Sequence, residues 1–437
     1  MPDSSPATAG SAPAPTPSRR PGDRPVHRVE ALSEPDVEDI LDLDQWAFGF
    51  DDTGVDSHPA TQIFEWDRVY GVRDPDGDGL IGTNLTLSLD LPVPGGHLPC
   101  AGLTWVGVHP KARRQGVLSS MIAHHLRTVQ ERGEAVSVLY AAEAGIYGRF
   151  GYGLASRCQR FTLPRRAQLR DVPGWQDVRL RLERVDVDRH ASLVADCHDA
   201  VRGDRPGMLS RSTPELRRHF LLDQPGLRQG AESLRIMTAQ ADDGGPVRGY
   251  ALFRRKASWS HAGPDGTVEV RECVARDPAA LRALWGRLVD LDLTSRVETW
   301  DQPLDDPLVH LLVDVRGALP RITDGLWLRI VDLPAALTAR RYLRPVEAVL
   351  EVTDELCPWN AGRWRLQGGP DGAACVPTSA PVDLRLDVRE LAAAYLGGES
   401  LAAVAAAGLA VPAEPQRLPE LAAGFGWPLA PYNSWMF

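Results

Sequence analysis

The sequence predicts an α+β chain of mixed α/β elements, in two or three folded regions, on three observations. Its 437 residues exceed what one hydrophobic core usually holds. A strand, helix, strand unit is legible between residues 100 and 140, and a looser copy of that order returns after residue 266. A third stretch, from about residue 313 to Phe437, mixes short strands with short helices.

The first 25 residues are rich in Pro, Ala and Ser with no apolar core, so they predict a disordered tail and not a signal peptide. Folding is expected from Val26, and the first region runs over 26–164. Within it, "DPDGDG" (Asp74 to Gly79) resembles the start of a calcium loop. Its twelfth position is Leu85, where bidentate binding needs a glutamate, so the segment reads as a turn. Next, Leu85, Leu87, Leu89 and Leu91 alternate with Thr86, Ser88 and Asp90, which predicts a half-buried strand. "CAGLTWVGVHP" is a second strand. In the following "KARRQGVLSSMIAHHLRTVQERG", Val117, Leu118, Met121, Ile122, Leu126 and Val129 share one helical face. His125 falls toward the polar face, Gly133 stops the helix, and "AVSVLYAA" starts another strand.

The second region, 165–312, holds "TVEVRECVARDPAALRALWGRLVDLDL": a strand, a proline and an amphipathic helix with Leu281, Leu284, Trp285, Leu288 and Val289 apolar. It reads as a degenerate repeat of the first. The third, 313–437, includes "GLWLRIVDLPAALTARRY", "DVRELAAAYLGG" and "ESLAAVAAAG".

Composition narrows the function classes. Apolar content of 43% and charged content of 24% are ordinary for a globular chain. A net charge of −10 argues against nucleic acid or an anionic membrane as the main partner and suits cationic ligands. Lys111 and Lys256 are the only lysines among 48 basic residues, so an arginine here is weaker evidence of function than usual. Six scattered cysteines without a CxxC pair predict neither a zinc site nor a disulfide framework, and a reducing cytoplasm is the default. No stretch reaches the roughly 18 apolar residues of a membrane span.

Chemistry concentrates in Val106, Gly107 and Val108, followed by the turn Arg113, Arg114, Gln115, Gly116 and Val117. An Arg-x-x-Gly turn opening a helix presents backbone N–H groups at a positive dipole end, which suits a pyrophosphate. Gly116 allows close approach, and the two arginines add charge. A solvated helix start is the competing reading.

This turn resembles the acetyl-CoA motif of the GCN5-related N-acetyltransferases (GNAT superfamily), written Q/R-x-x-G-x-G/A, with Leu118 where the last small residue normally sits. "GIYGRFGYG" (Gly145 to Gly153), "DGLWLRIVDLPAALTARRY" and the aromatic C-terminal residue are similar to the Eis (enhanced intracellular survival) family. The resemblance runs from about residue 30 to the end. It implies two tandem GNAT-type domains, the second without a CoA site, followed by a sterol-carrier-protein-like domain. It also implies acetyl-CoA as co-substrate, no metal, and a homo-hexamer built as a trimer of dimers.

By the same resemblance, Val106 and Val108 pair with the pantetheine arm like an added strand. The Val106 N–H polarises the thioester carbonyl, and the strands of Val106 and Val138 splay to admit the cofactor. Tyr147 matches the family's general acid, which protonates the expelled thiolate. Tyr152 reads as structural, as do His109, His124 and His125. The base implied is the C-terminal carboxylate, mapped onto Phe437. A carboxylate near pKa ~3.5 is a poor proton sink for an amine, so desolvation, a water relay or an amine-orienting role is required.

The family acetylates aminoglycosides and lysine side chains, which implies a small polycationic amine as acceptor. Trp46, Phe48, Asp51, Asp52 and Trp66 lie in a segment rich in aromatics and acids, able to bind cations by charge and cation-π contact. An ordinary solvated helix pair is the alternative. Two rival functions stay open: a peptide-lysine acetyltransferase, and a lipid-binding protein with a vestigial transferase site.

Overall fold

The computed structural model describes residues 26–49, 58–77, 79–203, 205–241 and 245–437. The first region builds around strands β1 (Glu30–Ala31), β2 (Val69–Arg73), β3 (Leu80–Val93), β4 (Gly96–Val108), β5 (Val136–Leu139) and β6 (Gly153–Leu154). Helix α1 (Val37–Phe48), the one-turn α2 (His58–Thr61) and α3 (Val117–Glu131) complete it. A seventh strand, Trp327–Ile330, inserts between β5 and β6, antiparallel to both. Thus part of the "GLWLRIVDLPAALTARRY" stretch completes the first sheet. The buried Arg329–Asp354 pair (2.6 Å) ties this strand to the third region.

β3 was expected to be half-buried, and the structure corrects this. Of its 14 residues only Ser88 is exposed and Asp90 half-buried. The polar alternation serves internal hydrogen bonds: Thr86 Oγ1 meets His125 Nδ1 at 3.1 Å, and Ser88 accepts from Arg68 at 2.5 Å. His125 is corrected with it. It is 2% exposed and packs toward the sheet, because one turn past Met121 it shares that residue's face.

The second region forms a six-stranded sheet, in order Thr162–Pro164, Thr294–Thr299, Gly266–Ala275, Val247–Lys256, Arg235–Gln240 and Arg179–Arg184. The helix Pro278–Leu288 follows its Gly266–Ala275 strand as α3 follows β4. In the third region a five-stranded sheet runs Gly372–Pro377, Gly362–Gly369, Val346–Thr353, Leu384–Asp387 and Ala410–Pro412. It is accompanied by the helices Leu333–Ala339, Val388–Ala394, Leu401–Ala406 and Leu418–Phe425.

The glycines of "GIYGRFGYG" have separate physical reasons. Gly151, at φ 80°, ends the short turn Tyr147–Phe150 in the left-handed region. Gly153 lies against the helix Val388–Ala394, where a Cβ would collide with the Arg389 carbonyl and the Ala393 nitrogen. Both obstacles are backbone and cannot swing away. Gly153→Ala is therefore expected to destabilise the protein by about 3 kcal/mol, read as a lower denaturant midpoint.

Candidate active site

β4 and β5 run parallel but pair only from Cys100↔Val136 to Gly102↔Val138. Beyond Gly102, β4 continues to Val108 without β5, so the sheet opens into a cleft. The opposite side of β4 is also irregular. Trp105 and Val106 together face Asn84, because β3 pairs Thr83 with Gly107 and Leu85 with Thr104. Trp105 takes a φ of 51°, unusual for a bulky residue. Beside this bulge the Asn84 amide is buried with neither Oδ1 nor Nδ2 partnered. A buried orphan amide is rare and marks a place built for something other than packing.

At the end of β4 the chain turns into α3. Arg114 (φ 66°) and Gly116 (φ 96°) are both left-handed, and Gly116 is the N-cap residue of this 15-residue helix. Arg113, Arg114 and Gln115 are exposed there, and Val117 is buried beneath. Lys111 pairs with Asp74, whose carboxylate also accepts from Asp76 N, so the start of "DPDGDG", Asp74 to Gly77, is a turn fastened to this corner. Gly107 lets α1 approach, since a Cβ there would sit 3.2 Å from Ala47 Cβ. An unpaired edge of β4, a left-handed turn, a helix N-terminus and exposed arginines all fit a pantetheine pyrophosphate.

The second region differs at the matching place. Its helix Pro278–Leu288 is capped by Asp277, whose carboxylate accepts from Ala280 N at 3.0 Å and pairs with Arg248 at 2.7 Å. Negative charge occupies the spot where a phosphate would lie. Its strand Gly266–Ala275 likewise runs on past the last parallel pair, Val270↔Thr299, so the difference lies at the helix start.

Tyr147 and Phe437 lie on opposite faces of the opened sheet. Tyr147 belongs to the buried cluster on the α3 face that includes Ala101, Leu103, Ile122 and Leu126, with Val106 and Leu118 packed against it. Burial pushes its phenol up to about 12, with Glu143's charge adding to the effect. Among the described residues its hydroxyl has no hydrogen-bond partner. Tyr152 stands 5.9 Å away, ring to ring, and its hydroxyl joins Ser137 at 2.9 Å. Ser137 in turn meets His125 Nε2 at 2.9 Å. Burial drops His125 to about 3, so it is a neutral structural link and no base.

Phe437 occupies the other face. Thr104 Oγ1 on β4 donates to the Phe437 main-chain oxygen at 2.9 Å. Its ring lies near Gly102 and packs edge-on against Tyr140 and Trp435, both at 5.8 Å. The segment before it is held firmly. Asn433 Oδ1 accepts from Leu209 N, Trp435 Nε1 donates to Leu209 O, and Tyr140 donates to Asn433 O. Arg211, in a buried pair with Glu272 at 2.5 Å, donates to Ser434 Oγ.

The remaining sequence-derived residues separate. Trp66 packs edge-on against Phe64 (5.4 Å), which packs edge-on against Trp105 of β4 (4.9 Å). Trp46 is 55% exposed, with its ring 5.1 Å from His109, beside the α3 turn. Phe48 is exposed at the end of α1, and Asp51 and Asp52 lie outside the described residues. Sequence reasoning missed Thr104, Trp105, Tyr140 and Asn433. Only Thr104 and Trp105 carried a signal, by their nearness to Val106.

This fold and cleft define an acetyltransferase of the GNAT superfamily joined to a sterol-carrier-type domain. Residues 28–155 and 207–330 each match an acetyltransferase (GNAT) domain, and residues 333–434 match a sterol carrier protein domain. The N-acetyltransferase Eis of Mycobacterium tuberculosis is 36% identical over 370 residues, 82% of this chain and 87% of its own. An N-acetyltransferase of Streptomyces avermitilis is 43% identical over 376 residues, 85% of this chain and 89% of its own. The crystal structure of Eis1 from Mycobacterium abscessus superposes with a TM-score of 0.78 at 29% identity, covering 94% of this chain and all of that one. The chain belongs to the Eis family of GCN5-related N-acetyltransferases. Acetyltransferases of this superfamily use acetyl-CoA. Among the described residues, no helix is long and apolar enough to cross a membrane.

The buried His125 gives a stability signature. Its folded pKa of about 3 lies below the ordinary imidazole value of 6.5, so the unfolded chain binds the extra proton as pH falls. The stability of its neutral form is present above pH ~6.5 and declines below it by about 1.4 kcal/mol per pH unit. Wild type should therefore lose that much relative to His125→Asn between pH 7.5 and 5.5, measured by urea unfolding.

Proposed function

We propose that this enzyme transfers an acetyl group from acetyl-CoA to a primary amine of a small polycationic molecule, with aminoglycosides the first class to test. The single observation that carries the reading is the opened β4–β5 cleft, with a phenol on one face and the Phe437 main-chain oxygen on the other. Acetyl-CoA, when bound, supplies the reactive thioester. The turn Arg113, Arg114, Gln115, Gly116 and Val117 holds its pyrophosphate, and backbone groups of Val106, Gly107 and Val108 hold its arm.

On the acceptor face, the Phe437 carboxylate orients the amine and takes up or relays its proton. Thr104 fixes that carboxylate by one hydrogen bond. On the opposite face, Tyr147 keeps a proton for the sulfur. As the new N–C bond forms and the C–S bond breaks, one proton leaves the nitrogen and one reaches the thiolate. Trp66, Phe64 and Trp105 give the acceptor an apolar wall, and Trp46, Phe48, Asp51 and Asp52 belong to the proposal as further contacts of the polycation. Assembly as a cytoplasmic homo-hexamer is part of the same reading, and sedimentation velocity checks it.

Thiol release from acetyl-CoA over a panel of aminoglycosides, diamines and lysine peptides tests the function, with mass spectrometry of the products. Coenzyme A binding without turnover of any amine would contradict it. Gly116→Asp probes the cofactor turn. It forces a side chain into left-handed backbone and sets a carboxylate against the pyrophosphate. Acetyl-CoA affinity is expected to fall roughly 10–100-fold, the loss of one charged hydrogen bond of about 1.5–3 kcal/mol. Calorimetric titration reads it.

A further inference from the structure

A cavity of about 310 Å³ adjoins the C-terminal segment, lined in part by Tyr140, Trp435 and Met436. Tyr140 also packs on Phe437, so the cavity adjoins the Phe437 side of the cleft. The second region closes it with Arg254, Glu269 and Arg271. The charges in this wall are not equivalent. Arg254 is satisfied by Asp223 at 2.6 Å, and Asp301 by Arg160 at 2.6 Å. Glu272, next to Arg271 in the chain but not in the lining, is held by Arg211 and by the Tyr250 hydroxyl, both at 2.5 Å. Among the described residues, Arg271 has no carboxylate partner and Glu269 no cationic one.

Arg271 reaches the cavity through a bulge. The neighbouring strand pairs Leu252 with Glu272 but Phe253 with Val270, so Arg271 is the extra residue between them. Alternation would have sent Arg271 and Glu272 to opposite faces; the bulge lets both face the first region. The guanidinium lies 4.6 Å from the Phe220 ring, whose other neighbour is Arg211 at 3.4 Å. Burial, opposed by Glu272 and reinforced by Arg254 and Arg211, lowers Arg271 to about 10. A guanidinium held in a cavity without a counter-charge is costly unless a ligand supplies one, and its planar fork matches a carboxylate.

We propose that the acceptor amine also carries a carboxylate, which Arg271 binds while Glu269 faces a second ammonium. The inference rests on the acetyl-transfer reading and moves its acceptor from aminoglycosides, which carry no carboxylate, to amphoteric polyamines, such as diamino acids or basic peptides ending in a free carboxylate. Arg271 is then a specificity residue, distant from the reacting atoms.

The test compares amines differing in one group, using the full-length enzyme and thiol release. L-Lysine and 1,5-diaminopentane share both amines, and only lysine has the carboxylate. Wild type should favour lysine by about 10–100-fold in kcat/KM, the worth of one charged hydrogen bond. Arg271→Gln should bring that ratio close to one, mainly through the KM for lysine, and Arg271→Lys should keep part of it. Equal or better use of the diamine by wild type would overturn the proposal, as would an unchanged ratio in Arg271→Gln. If Arg271→Gln does not fold, the wild-type ratio and Arg271→Lys decide. A larger preference for O-phosphoethanolamine over ethanolamine would overturn the carboxylate in favour of a phosphate. Turnover of no amine at all would instead sink the acetyl-transfer reading.

Discussion

Tyr147→Phe is expected to lower kcat by roughly 10²-fold or more, the usual worth of a general acid, while acetyl-CoA affinity stays nearly intact. The substitution removes one oxygen, and among the described residues that oxygen holds no other group in place. The Tyr147 ring stays in its buried cluster, edge-on to Tyr152, so the variant should melt close to wild type. The raised phenol adds a second expectation. With a pKa of about 12, Tyr147 stays protonated throughout the neutral range, so it gives the rate no alkaline limb there. Against a thiol near 8.5, full proton transfer from such a phenol is uphill by about 5 kcal/mol. Its contribution therefore begins as a hydrogen bond to sulfur as charge develops. Equal turnover in Tyr147→Phe and wild type would remove this residue from the mechanism.

The turn proposed to hold the cofactor is more legible in the sequence than the proposed acceptor side, for a physical reason. Binding a pyrophosphate uses local structure: one turn, one glycine and one helix start, all within Arg113 to Val117. Such local constraints leave a readable spacing. The proposed acceptor face joins Thr104, Tyr140, Leu209, Asn433 and Arg271, drawn from four distant stretches of the chain. Arg271 was beyond reach because alternation predicts it on the opposite face from Glu272, and only the bulge reverses that. His125 was misread for a related reason. A histidine on a helix reads as polar until its partners, Thr86 and Ser137, are known to lie beneath it. β3 shows the same limit: its alternation of Leu with Thr and Ser resembles a solvated face, yet Thr86 turns inward to a buried histidine. The strand Trp327–Ile330 was visible as apolar sequence, but nothing local says that it completes a sheet begun 300 residues earlier.

Extending the chain by two residues beyond Phe437 is expected to cut turnover at least 10²-fold without unfolding the protein. Asn433, Ser434 and Trp435 are anchored by Leu209, Arg211 and Tyr140, so the segment keeps its place when residues are added. What changes is the group at Phe437, where a neutral peptide carbonyl replaces a carboxylate and added atoms crowd the cleft beside Thr104. A neutral carbonyl still accepts the Thr104 hydrogen bond, so the loss isolates charge and space from anchoring. The decisive measurement is thiol release by an enzyme carrying a cleavable extension after Phe437, before and after the extension is removed. The account predicts near-silence with the extension and full turnover once Phe437 is terminal again. Equal turnover in both states would contradict it.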